Sequence, residues 1–110
     1  MDIETLRTLC ISLESVTEDI KWDNDLCFSI GGKMFCVTSL QPPFTASLKV
    51  KDEEFEELCQ SAGIEIAPYV GRYKWILVTD PNRFTAAEWQ HYVSQSYTLV
   101  KAKLPKKKAK

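Results

Sequence analysis

A chain of 110 residues has room for one domain, since a single core typically serves ~100–150 residues, so a second catalytic domain is excluded. Hydrophobic residues at 45% and charged residues at 26% exclude disorder and fibrous repeats, and the formal charge of -1 excludes a uniformly basic domain. That average conceals a polarity: residues 1–25 carry seven acids against Arg7 and Lys21, whereas the last ten residues carry six lysines and no acid.

The chain opens with Asp2, a good helix cap, before Ile3, Leu6, Leu9, Cys10, Leu13 and Val16 at helical spacing. This predicts a first helix over about 2–15 with one wet face. Residues 26–30 and 33–37 flank Gly31-Gly32, and paired glycines accept the positive φ angles of a two-residue hairpin. Counting outward from that turn sets Phe28 against Phe35, Leu26 against Val37 and Cys27 against Cys36. Pro42 and Pro43 interrupt the pattern, and Ala46, Leu48 and Val50 then alternate with Ser47 and Lys49 as a third strand.

Asp52 is the expected cap of a second helix, whose first-turn acids suit the helix dipole and whose buried stripe is Phe55, Leu58, Cys59 and Ala62, with Gly63 closing it. A connector over 64–72 leads to Trp75-Ile76-Leu77-Val78, a short apolar run typical of a buried strand. Thr85 and Glu88 have capping-box spacing, with Phe84 and Trp89 as the hydrophobic staple. The final helix, over about 85–104, aligns Trp89, Tyr92, Val93, Ser96, Tyr97, Val100 and Leu104 until Pro105 stops it. Residues 1–104 thus form one domain, and 105–110 a lysine-rich tail too polar to fold by itself. The element order α-β-β-β-α-β(β)-α reads as α+β, three helices against an antiparallel sheet.

Chemistry-bearing motifs are sparse. No stretch approaches ~18 apolar residues and Asp2 and Glu4 replace a basic leader, so a cytoplasmic protein away from membranes is expected. Cys10, Cys27, Cys36 and Cys59 contain no C-x-x-C pair and, with the single His91, no zinc spacing. The predicted register places Cys27 and Cys36 within disulfide reach, but cytosolic thiols are kept reduced, and both are read as such. There is no G-x-S-x-G, P-loop or G-x-G-x-x-G, and His91 sits on the solvent side of its helix without a serine or cysteine partner. The expectation is a binding domain and not an enzyme, with no catalytic residue, no metal and no cofactor.

The segments Ile30-Gly31-Gly32-Lys33-Met34-Phe35, Ser47-Leu48-Lys49, Lys74-Trp75, and 96–107 with Ser96-Tyr97 and Leu104-Pro105-Lys106-Lys107 resemble, in order and spacing, the MmcQ/YjbR family of small bacterial proteins. The resemblance runs from about Glu4 to Lys107 and departs from the family pattern between Gly63 and Tyr73. It implies a compact α+β fold similar to type III secretion chaperones. The family is commonly labelled DNA-binding, a label that rests on fold comparison.

Three partner classes follow. Nucleic acid would be held by Lys33, Lys49, Arg72, Lys74, Lys101, Lys103, Lys106 and Lys107, with Tyr69, Tyr73 and Trp75 as stacking aromatics, because phosphates demand clustered cations and unpaired bases stack on aromatic faces. Scarce arginine argues against reading a duplex sequence, which leaves weak, salt-sensitive binding. A protein partner would use the charge polarity or an unpaired sheet edge. A small-ligand pocket would draw on Trp22, Met34, Phe44 and Tyr69, although such side chains more often fill a core. A monomer is the expected state, and nucleic acid ranks ahead of protein.

Overall fold

The amino-terminal helix is shorter than its apolar stripe. In the computed structural model, which describes residues 1–68 and 70–104, α1 spans Ile3–Ile11, with the Asp2 carboxylate accepting from the Thr5 amide at 2.8 Å. Ser12 then bonds back to the Leu9 carbonyl, Ser15 takes a φ of 65°, and Val16 begins a strand instead of extending the helix. This strand, β1 (Val16–Lys21), is a correction to the expected order. Its central residues are exposed, so it shows no buried alternation by which a strand is recognised.

The turn at Gly31-Gly32 joins β2 (Asp25–Ile30) to β3 (Lys33–Ser39), with both glycines at positive φ. Ile30 pairs with Lys33 and Ser29 with Met34 as counted from the turn, but the register then shifts, so that Phe28 faces Cys36 and Cys27 faces Val37. Phe35 is the extra residue of a β-bulge, which lets Phe35 and Cys36 both join the helix-side core. The expected pairs Phe28 with Phe35, Leu26 with Val37 and Cys27 with Cys36 are therefore corrected by one residue. All four cysteines are free, and Cys10 meets Cys36 in the core, where the hydrogen bond between their thiols and then burial push the Cys10 thiol above its ordinary range.

Beyond β4 (Ala46–Lys49), α2 spans Asp52–Cys59. Its cap is Lys51, whose amide donates to the Glu54 carboxylate at 3.1 Å, and the expected cap Asp52 is the first helical residue. β5 (Ile64–Ile66) is a short edge strand, a 3-10 turn covers Gly71–Tyr73, and β6 (Trp75–Val78) and α3 (Ala86–Lys101) complete the chain. The capping box of α3 forms as expected: the Glu88 amide donates to Thr85 Oγ1 at 3.1 Å, and the Glu88 carboxylate accepts from the Thr85 amide at 2.9 Å. Phe84 meets Trp89 edge-on at 5.3 Å, the predicted staple.

Among the described residues six strands form one antiparallel sheet in the order β1-β2-β3-β4-β6-β5. Alternation divides its side chains. Phe28, Leu48, Ile76 and Val78 face the single core shared with Leu6 and Cys10 of α1, Leu58 of α2 and Trp89 and Val93 of α3. All three helices therefore cover one face, an α+β domain as expected. Arg7 clasps Glu18 through two hydrogen bonds at 2.7 and 2.6 Å, tying α1 to β1 and holding the Glu18 carboxyl below its usual range. Among the described residues no helix is long and apolar enough to cross a membrane.

Candidate functional site

Two features stand where a partner could be met: a cationic end of the sheet and a groove on its helix-free face. The cationic end is assembled by topology. Because β6 returns beside β4, Lys49 pairs with Trp75, and the residue before Trp75 is Lys74. Lys74 adopts a left-handed φ of 68° closing the 3-10 turn, so its carbonyl accepts from the Val50 amide at 2.9 Å while its ammonium lies 5.1 Å over the Phe55 ring. Lys103 arrives from the end of α3. Burial first, then the nearby charges of Lys103 and Lys74, push the Lys49 ammonium below its ordinary value, with Asp52 opposing them.

Arg72 and Tyr73 lie beside this cluster, the guanidinium 5.0 Å over the phenol ring, and Tyr73 is 53% exposed. Lys33 opens β3 at the same end of the sheet, where the Leu104 side chain packs against Gly31 so closely that a Cβ there would meet it at 2.6 Å. Lys101 departs from the group. Its ammonium lies 5.6 Å over the Tyr97 ring, on the side of α3 where the Tyr97 hydroxyl donates to the Glu14 carbonyl at 2.6 Å. Trp75, opposite Lys49 in β6, is only 7% exposed, so little of its ring is open for stacking. Tyr69, Lys106 and Lys107 lie outside the described residues.

The groove has a volume of about 770 Å³. Val37, Ser47 and Leu77 are successive partners across its floor, with Met34 and Trp75 also lining it. Trp22 and Asp25 stand at its other end, where Trp22 and Asp23 take φ values of 52° and 71° in the β1–β2 turn and Trp22 is 67% exposed. Of the four residues that the sequence suggested for a pocket, Trp22 and Met34 are here. Phe44 instead packs edge-on against Trp89 at 6.0 Å. Sequence reasoning missed the concave floor, because Ser39 and Ser47 signal only a strand's polar side.

His91 is exposed, with its ring 4.8 Å from Tyr92, and no group of three His, Cys, Asp or Glu that could hold a metal ion occurs among the described residues.

A model of the YjbR family matches residues 11–99, a span that contains the hairpin, the bulge, Lys49, Lys74 and most of α3. No curated protein matches the chain. Among solved structures, a protein from Pseudomonas syringae, a Northeast Structural Genomics Consortium target, is similar with a TM-score of 0.75 and 17% identity, over 90% of this chain and 98% of that one. That likeness shows the fold, and the family match across the sheet and helices carries the assignment: the chain belongs to the YjbR family.

Proposed function

We propose that the chain is a non-enzymatic binding domain whose cationic sheet end holds a nucleic-acid backbone weakly and without reading sequence. The observation that supports this is the convergence of Lys49, Lys74 and Lys103 from three separate elements, with Arg72 and the exposed Tyr73 ring beside them. Three cations within mutual electrostatic reach repel one another, a cost that a phosphate backbone would offset. The Arg72–Tyr73 pair adds a flat surface on which an unpaired base can stack.

Fluorescence anisotropy with labelled single-stranded and duplex DNA tests the reading. Binding is expected at low salt with a Kd of roughly 10⁻⁶–10⁻⁴ M, a preference for the single strand and a steep salt dependence. Replacing Lys49, Lys74 and Lys103 together by Gln should lower the slope of log K against log salt by roughly 2–3. Absence of binding at ~500 µM protein in low salt would sink the proposal, since a Kd of ~10⁻⁴ M would leave most of the DNA bound there.

A second reading rests on β1. It is one of the two outer strands of the sheet, with Ile20 58% exposed beside Glu18 and Asp19, a row of backbone groups open to a strand from another chain. Light scattering at two salt concentrations separates the readings: self-association that survives high salt and is lost in Ile20→Lys favours the edge.

A further inference from the structure

The groove on the helix-free face carries charge of one sign. Its volume of about 770 Å³ falls in the ~300–1,000 Å³ range of small-molecule sites. Its floor strands β3, β4 and β6 are paired on both sides, so their backbones offer nothing to an added strand, and recognition there must run through side chains. The floor is apolar at Val37 and Leu77 with Met34 beside them, and among the described residues the one charged group in the lining is Asp25.

Asp25 shares its face of the sheet with its strand partners, Ser39 in β3 and Lys21 in β1. Lys21 leaves it open, because no ion pair joins the two among the described residues, where the salt bridge is that of Arg7 with Glu18. Asp19 stands on the same face, opposite Cys27, and Asp19, Lys21 and Asp25 all lie within electrostatic reach of the Cys27 thiol, two acids against one cation. This end of the groove is therefore net acidic.

Trp22 lines the same end. Its indole is 67% exposed and takes no part in the core, and Trp22 and Asp23 both hold left-handed φ values, 52° and 71°, that bulky residues rarely adopt. Strain of this kind collects at ligand clamps. A carboxylate beside an open indole is a pairing suited to an organic ammonium, which the carboxylate attracts by charge and hydrogen bonding and the ring by its negative face.

We infer that this groove binds a small amphipathic organic cation, its ammonium held by Asp25 and Trp22 and its apolar body lying along Val37 and Leu77. None of these residues belongs to the cationic end that holds nucleic acid in the reading above, so the two sites are separate.

Three compounds with one apolar body test it: 1-adamantanemethylamine, which is protonated at neutral pH, the neutral 1-adamantanemethanol and the anionic 1-adamantanecarboxylate. Titrations followed by the amide and indole N–H resonances should show the amine binding roughly tenfold more tightly than the alcohol, the worth of one charge-assisted hydrogen bond, and the carboxylate more weakly than either. The shifts should centre on the Trp22 indole and the Val37 and Leu77 amides. Asp25→Asn should bring the amine down to the affinity of the alcohol and leave the latter within about twofold. Trp22→Ala should weaken the amine more than the alcohol, and Ser47→Phe, which fills the floor, should abolish both; the spectrum of each variant establishes that it is folded. Replacing Lys74 and Lys103 by Gln should leave amine binding intact while weakening DNA binding, and Asp25→Asn should not weaken DNA binding, so the two readings fail separately. The proposal is overturned if the amine binds no more tightly than the alcohol, if folded Asp25→Asn keeps the preference, if the shifts lie away from the groove, or if sizing shows a dimer that Ser47→Phe dissociates, which would seat a second copy there.

Discussion

Trp89→Ala is expected to lower the free energy of unfolding by about 3–5 kcal/mol, the usual loss for deleting a buried indole. Trp89 is 1% exposed, meets Phe84 edge-on at 5.3 Å and Phe44 at 6.0 Å, and donates its indole N–H to the Pro81 carbonyl at 3.1 Å. The truncation removes the side chain that both rings pack against and leaves that carbonyl without its partner. Since a domain of this size holds a total of only about 5–15 kcal/mol, the variant should sit near the edge of folding at 37 °C. Urea denaturation followed by circular dichroism reads the change, and Trp89→Phe should recover at least half of it by restoring ring contacts without the N–H. A loss below ~1 kcal/mol would mean that the start of α3 is far looser than this packing indicates.

Ser96→Ala is the second large effect, from a change of one oxygen atom. Ser96 is fully buried, and its hydroxyl donates to the Phe35 carbonyl at 2.6 Å while accepting from the Lys49 amide at 2.9 Å. The ladder between β3 and β4 pairs Cys36 with Leu48 and stops there, so this hydroxyl from α3 takes the place of the next rung. Alanine would orphan a buried carbonyl, at ~1–3 kcal/mol, and a partly buried N–H at less than that, for an expected loss of about 2–4 kcal/mol and a Tm lower by roughly 10–20 °C. The neighbouring Ser94→Ala, with no such bridge, should change stability by less than ~0.5 kcal/mol. Hydrogen exchange gives a second check, because the Lys49 amide should lose protection in Ser96→Ala before the rest of the sheet does.

These two residues also mark what could be read in advance. Trp89 belongs to a capping box and staple whose partners lie three to five residues apart, so the start of α3 was legible from spacing alone. The Gly31-Gly32 turn was legible for the same local reason. The bulge at Phe35 was not, because its carbonyl is satisfied by a hydroxyl 61 residues away. β1 was hidden because an edge strand with exposed central residues carries no burial pattern. At the cationic end the residue types were identified, but their meeting depends on β6 returning beside β4 and on the left-handed backbone of Lys74. No local pattern specifies either. The groove escaped notice because its floor sums side chains from three strands, each unremarkable alone.

With every helix on one side, the sheet acts as a partition between two populations of side chains. Leu48 and Ile76 hold the molecule together, whereas Ser47 and Leu77, one residue along the same strands, meet whatever lies outside. A substitution at an odd position of β4 or β6 can thus rewrite what the protein touches while the even positions go on specifying the fold. Chains sharing this architecture are free to diverge on the outer face at little cost to folding, so a partner recognised there need not be common to all of them.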